Sequence, residues 1–254
     1  MDILRSAGLL DDAALRAEAV AQLSAAGELS LADAYEIQRE SVARRLGRGE
    51  RRTGIKMGFT SRAKMLQMGI DTMIWGRLTS GMMVEEGGEI ALSRYVHPRV
   101  EPEVAFLLGR ALAGPVTLVE AAAAIAAVAP AMEIIDSRYR DFKFSLADVV
   151  ADNSSSSGYC IGPWSAPDTD TANLGLVMSI DGRPVQIGSS AAILGHPLRS
   201  LVAAAAFASA AGEALPAGSI VLAGGATAAE ALRSGAHVRL EMQRLGSVSF
   251  RVAG

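Results

Sequence analysis

An α+β fold, a mixed β core preceded by a helical arm, is predicted by three features of this chain. Apolar residues recur at helical spacing between about residues 10 and 47. From about residue 53, short apolar runs alternate with glycine, proline and serine turns. Two later stretches, 117–128 and 197–211, read as helices set among those runs.

Taken in order, Asp11-Asp12 opens a first helix with apolar residues through Leu23. Ser30-Leu-Ala-Asp33 has the form of a capping box before a second helix that runs through Leu46 and stops at Gly47. This pair makes residues 1–52 an N-terminal helical arm or subdomain, leaving 53–254 as the main β domain. Within it, Asp181-Gly182 between Leu176–Ile180 and Val185–Ile187 is a strong hairpin signal. Strands broken by turns at such intervals argue for an antiparallel or mixed core and against a doubly wound parallel sheet. Gly224-Gly225 lacks the lysine of a phosphate-binding loop.

Composition narrows the function classes. The chain has 254 residues, half of them apolar, and a net charge of −3, so it carries no general basic field for nucleic acid. Its basic cluster, Arg44 to Arg52, adjoins a helix end and suits the helix dipole or solvent. Cys160 is the one cysteine, which rules out an intramolecular disulfide and reads as a small core residue. Neither a leader-like N-terminus nor a bilayer-length apolar run is visible, so a cytoplasmic protein, with no membrane partner, is expected.

The informative run is Arg99-Val-Glu-Pro-Glu-Val-Ala-Phe-Leu-Leu108. Glu101 and Glu103 stand at i and i+2, so on a strand they share a face. Glu133 lies in a second apolar run. A solvated face would explain such a pair on its own, but Ala105 and Leu107 continue that face without polarity. Gathering buried carboxylates is costly unless a positive group joins them, and a hard divalent cation with oxygen ligands is the natural partner. Pro102 between them suggests an edge strand or a bulge. Lys56, between glycines, is either a surface lysine or one held in a low-polarity pocket for acid–base work. Asp152 and Asn153, directly after valines, suggest an ordered turn. Gly224-Gly225-Ala-Thr227 offers backbone N–H groups and a hydroxyl suited to a carboxylate.

Six ordered segments carry a resemblance. They are Gly54-Ile-Lys-Met-Gly-Phe-Thr-Ser61, His97-Pro-Arg-Val-Glu-Pro-Glu103, Glu133-Ile-Ile-Asp-Ser-Arg138, Val150-Ala-Asp-Asn153, Leu194-Gly-His-Pro197 and Leu245-Gly-Ser-Val248. Together they resemble the hydratase/decarboxylase branch of the fumarylacetoacetate hydrolase superfamily, from about residue 30 to the C-terminus. The resemblance implies a mixed β roll with an N-terminal helical part. It implies Mg²⁺ or Mn²⁺ on Glu101, Glu103 and Glu133, Lys56 as the active-site lysine, and no organic cofactor. Arg62 is then a candidate carboxylate clamp, and Asn153, Ser154, Gly225 and Thr227 candidates for orienting the substrate. Segment 136–144 is similar to that of the branch's decarboxylases, whereas its hydratases tend to carry tryptophan and isoleucine there. The implied activity is therefore decarboxylation of 4-oxalocrotonate (2-oxohex-3-enedioate) to 2-hydroxypenta-2,4-dienoate in aromatic meta-cleavage catabolism. Hydration of 2-hydroxypentadienoate (2-oxopent-4-enoate hydratase) is the alternative. A weakly catalytic partner subunit of a decarboxylase–hydratase complex is the alternative of another class, and C–C bond hydrolysis of acylpyruvates a more remote one. A homo-oligomer and a complex with the hydratase are further implications. Ser80 and Gly81 stand where many relatives carry an aspartate credited with acid–base work in hydration. His97 and His196 are expected to be structural.

Overall fold

The computed structural model describes residues 1–61 and 72–254. Helix α1 (Ile3–Arg16) is capped by Asp2, whose carboxylate accepts from Arg5 N, and ends where Ala17 turns left-handed at φ 53°. The expected start at Asp11 and end at Leu23 are therefore corrected: Asp11 lies inside the helix, 1% exposed. Helix α2 (Leu31–Gly47) is capped by Ser30, which accepts from Asp33 N, as its sequence foretells.

Thirteen strands follow among the described residues: β1 (Arg52–Gly58), β2 (Ile74–Thr79), β3 (Met83–Val84), β4 (Glu89–Ala91), β5 (Arg99–Leu108), β6 (Ile125–Ile135), β7 (Ser156–Ile161), β8 (Gly175–Ile180), β9 (Arg183–Ser189), β10 (Ile220–Leu222), β11 (Glu230–Ala231), β12 (His237–Met242) and β13 (Gly246–Ala253). Helices α3 (Leu118–Ala123), α4 (Leu146–Ala151) and α5 (Leu198–Ala210) lie between them. One sheet runs β2-β1-β10-β5-β6-β7-β3 with β11 beside β5, and the other runs β4-β13-β12-β8-β9. The pairs β1–β10, β3–β7 and β4–β13 are parallel and the rest antiparallel, so both sheets are mixed. The β8–β9 hairpin turns at Asp181-Gly182, both at positive φ, as its sequence requires.

The two sheets close over an aliphatic core. Val100, Val104, Phe106 and Leu108 of β5 and Met132 and Ile134 of β6 join one buried cluster with Met178, Val238, Leu240, Val248 and Phe250. Each such side chain contributes about 1.5–3 kcal/mol on burial. Because alternate residues of a strand face opposite ways, this packing turns Glu101, Glu103 and Ala105 of β5 to the other face. A second core joins Leu10 of α1 and Ala34 and Ile37 of α2 to Ile74, Tyr139 and Val149–Ala151. Gln38 of α2 donates to Trp75 O and Val150 O, binding the arm to β2 and α4.

Two expectations fail here, each overridden by pairing within the sheet. The alanine-rich stretch 117–128 is helical only through Ala123, behind the Thr117–Glu120 capping box. Residues from Ile125 onward extend to pair with β5, and ten paired positions outweigh alanine's helix preference. Pro102 lies on a central strand, neither at an edge nor in a bulge. Its carbonyl accepts from Ala226 N, so its nitrogen faces the same side, the gap between short β10 and β11, where no ladder donor is needed.

Candidate metal centre and active site

Glu101 is paired in register with Glu133, and Glu103 lies two residues along the same face. One carboxylate oxygen from each of the three lies within 4.8 Å of the other two. Glu103 and Glu133 are fully buried, and Oε1 of each has no hydrogen-bond partner among the described residues. Two orphaned anionic oxygens beside a third carboxylate are a strong driving force for a cation.

The described neighbouring groups offset only part of the charge on Glu103 and Glu133. Lys56 of β1, 2% exposed, donates to Glu133 Oε2 at 3.0 Å. Gly224 N donates to Glu103 Oε2 at 2.6 Å. Burial, then the charges of Glu133 and Glu101, push the Glu103 carboxyl well above its usual range; Lys56 and Gly224 pull it back only partly. Burial depresses the Lys56 ammonium, yet Glu133, Glu101 and Glu103 together outweigh that and raise it. Lys56 is thus held as a cation. The donor set, three carboxylates and no sulfur or imidazole, fits Mg²⁺ or Mn²⁺.

Glycine at 224 and 225 is what lets the backbone come so near. Gly224 has φ 104°, and a side-chain carbon there would lie 2.1 Å from Thr60 Oγ1. At Gly225 the same carbon would lie 2.4 Å from Glu101 Oε2. Any other residue would push the carboxylate aside.

Lys56, Glu101 and Gly225 open on a cavity of about 360 Å³. Its wall is apolar, with Phe59, Ile74, Ile135, Phe142, Phe144 and Val149, and its polar lining includes Thr60, Ser61, Arg99, Ser154 and Ser155. The turn after α4 supplies one side. Asn153, Ser154 and Ser155 all take left-handed backbone, at φ 50°, 52° and 61°. Such strain persists only where neighbours enforce it. Asn153 does so by accepting from Arg77 N at 2.8 Å and donating to Arg77 O at 2.9 Å, and Ser154 by donating to Trp75 O at 2.7 Å.

The expected substrate-orienting residues divide, with Gly225 and Ser154 at the cavity and Asn153 and Thr227 away from it. The Asn153 amide is engaged with β2 and does not line the cavity, and the Ser154 hydroxyl, though at its wall, is spent on Trp75. Thr227 does not line it either, donating to Ala228 O. Arg62 lies outside the described residues. Ser80 is away from the cavity, accepting from Arg51 N. His196 Nδ1 accepts from Leu198 N, and His97 packs edge-on to Phe142. The basic cluster is internal in part: Arg44 and Arg48 ion-pair with Asp11. Burial pushes the Cys160 thiol up to about 12, which suits a core residue and not a nucleophile.

Several lining residues carried no sequence signal. Ser155 is 4% exposed, and its hydroxyl has no partner among the described residues. Phe142, at φ 56° after Asp141 at φ 59°, sits under Arg99, whose guanidinium carbon lies 4.6 Å from the ring centre. No helix among the described residues is long and apolar enough to cross a membrane.

Residues 60–253 match the fumarylacetoacetate (FAA) hydrolase C-terminal family. Over 254 residues the chain is 62% identical to a 4-oxalocrotonate decarboxylase of Pseudomonas sp., covering 100% of this chain and 99% of that protein. It is 36% identical over 224 residues to a 2-keto-4-pentenoate hydratase of Paraburkholderia xenovorans, covering 87% of this chain and 83% of that one. The solved 4-oxalocrotonate decarboxylase from Pseudomonas putida G7, complexed with magnesium and adipate, superposes with a TM-score of 0.95 at 39% identity, covering 98% and 97% of the two chains. The chain belongs to the fumarylacetoacetate hydrolase family.

Proposed function

We propose, from that family membership, that this chain is a carboxy-lyase that removes CO₂ from 4-oxalocrotonate. The observation that carries the reading is the cluster of Glu101, Glu103, Glu133 and Lys56, two of which, Glu101 and Lys56, open on one apolar cavity, in a chain 62% identical over its length to a decarboxylase of that substrate. Glu101, Glu103 and Glu133 would hold the cation, Mg²⁺ by the content of the related structure or Mn²⁺ by donor chemistry. When bound, it supplies a Lewis acid that stabilises negative charge gathering on the 2-keto oxygen.

The chain's own groups do the rest. Lys56, cationic and fixed by Glu133, draws the dianionic substrate in and presents a proton to the reacting end. As the C5–C6 bond breaks, its electrons pass along the conjugated chain to the keto oxygen and CO₂ leaves. Protonation of the oxygen gives 2-hydroxypenta-2,4-dienoate. The aromatic and aliphatic wall excludes water, and Ser155, with its free hydroxyl, is the polar group poised for a substrate oxygen. The adipate of the related structure has the six carbons and two carboxylates of the proposed substrate.

Hydration is the weaker reading. Apart from Glu101 no carboxylate lines the cavity among the described residues, and Ser80 is bonded to Arg51, so among those residues no carboxylate outside the metal set stands ready to activate water. The test is to supply 4-oxalocrotonate and 2-hydroxypentadienoate separately, with and without Mg²⁺. Metal-dependent CO₂ release from the first alone is the expected result; water addition to the second without CO₂ release would replace it with the hydratase reading. A homo-oligomer and a complex with a hydratase that consumes the product remain part of the proposal. Co-elution of the two enzymes on size exclusion checks the latter.

A further inference from the structure

We propose that Arg99, laid on the ring of Phe142, receives the substrate's second carboxylate and selects 2-oxo dicarboxylates over 2-oxo monocarboxylates. This rests on the decarboxylase reading for the identity of the substrate, but the receptor itself stands on separate observations.

Arg99 begins β5 and shares a face with Glu101 and Glu103, at i, i+2 and i+4. One i-to-i+2 step along a strand is about 7 Å, comparable with the length of an extended six-carbon diacid. A 2-oxo acid anchored at the carboxylate cluster therefore carries its far end toward Arg99, which lines the same cavity. No hydrogen bond or ion pair joins Arg99 to a described carboxylate; its recorded contact is the Phe142 ring. Two other arginines that reach the interior are satisfied, Arg138 by Asp152 and Arg77 by Glu213. An unspent guanidinium at an apolar cavity is an anion receptor in waiting, because its fork matches a carboxylate in two parallel hydrogen bonds.

Phe142 makes that receptor rigid. Its own ring is held by Phe144 at 5.5 Å and His97 at 6.2 Å. The left-handed pair Asp141 and Phe142 turns the segment inward. Stacking on a fixed aromatic face sets the plane of the guanidinium before a ligand arrives, so little freedom is lost on binding. A monocarboxylate of the same length would leave Arg99 desolvated without a partner, and that penalty is the source of selectivity. Arg99 grips the carboxylate before it departs as CO₂, so its contacts belong to the ground state and should govern KM more than kcat.

The experiment compares binding of 2-oxoadipate and 2-oxohexanoate, stable six-carbon 2-oxo acids with and without the second carboxylate, to the Mg²⁺-loaded protein by calorimetry. The wild type is expected to prefer 2-oxoadipate by about tenfold or more, as one charge-assisted bidentate contact implies. Arg99→Gln should erase that preference by weakening 2-oxoadipate alone, and should raise KM for 4-oxalocrotonate more than it lowers kcat. Arg99→Lys, which keeps charge and loses the fork, should fall between. Phe142→Leu, which leaves Arg99 in place and unstacks it, should reduce the preference severalfold and serves as the probe if Arg99→Gln fails to fold. A preference retained by Arg99→Gln, or equal weakening of both acids, would overturn the proposal. A wild type that selects 2-oxoadipate yet releases no CO₂ from 4-oxalocrotonate would remove the decarboxylase reading and leave the receptor standing.

Discussion

Two buried acids of this protein are treated in opposite ways. Asp11, inside α1, is 1% exposed, and Glu103, on β5, is fully buried. Burial raises the Asp11 carboxyl, but hydrogen bonds from Arg48 and Arg44 outweigh it and hold the group below its usual range. Glu103 meets burial and two more carboxylates, with one lysine nearby and one backbone N–H, and is driven upward. The helical arm neutralises its acid with the chain's own cations, so that site is complete as folded. Among the described residues the buried pair Glu103 and Glu133 meets less positive charge than Asp11 does, which is what a site built for an external cation looks like before the cation is counted.

Removing Glu103's charge tests this contrast most severely. Glu103→Gln should cut turnover by about a thousandfold or more, since the Lewis acid is worth several kcal/mol. It should also raise the melting temperature of metal-free protein, because a neutral amide ends the carboxylate crowding, while abolishing the rise that Mg²⁺ gives the wild type. That rise corresponds to about 2.7 kcal/mol at a hundredfold excess of metal over Kd. A Glu103→Gln enzyme that keeps its activity breaks the comparison. Lys56→Ala comes next, with turnover lowered by about 10²–10⁴-fold; an unchanged rate would place Lys56 outside the chemistry.

Asp11→Asn should do the reverse of Glu103→Gln. It should leave turnover intact and cost about 2 kcal/mol of stability, as Arg48 loses its ion-pair partner and Arg44 keeps only Asp12. The pH dependence sharpens the point. Asp11's folded pKa lies below the 3.8 of the free group, so its stabilisation is complete above that pH and lost as pH falls through the folded value. Glu103's folded pKa lies well above 4.5, so its penalty is full at high pH and fades as pH falls toward 4.5. Melting curves should therefore show the gain of Glu103→Gln shrinking with acidification from neutral pH to 4.5, with the loss of Asp11→Asn steady over the same interval.

The two sites also differ in how far the residue order alone reveals them. Glu101 and Glu103 were legible because strand alternation sorts side chains to faces without regard to tertiary detail, and Ala105 marked that face as buried. The Ser30 cap and the Asp181-Gly182 turn were legible for the same kind of local reason. Asp2 was missed as a cap, and with it the true start of α1, because the acidic pair Asp11-Asp12 offered a second start signal. Ile125 to Val128 was misread because alanine favours helices and only pairing with β5 makes it strand. The cavity wall was hidden more deeply. Asn153 and Ser154 were sighted as polar loop residues, but their side chains close backbone bonds to β2, and Ser155 is left to face the cavity. That assignment depends on three non-glycine residues in left-handed backbone, a conformation without a sequence signature. Phe142 under Arg99 depends on the same kind of turn.

The central claim, that Glu101, Glu103 and Glu133 jointly hold one divalent cation, is met most directly by titrating Mn²⁺ into chelator-stripped protein and counting bound ions by calorimetry or electron paramagnetic resonance. One ion per chain, lost in Glu101→Gln and in Glu103→Gln with the fold unchanged by circular dichroism, is the predicted result. No bound ion in the wild type, or equal binding in both variants, would contradict it.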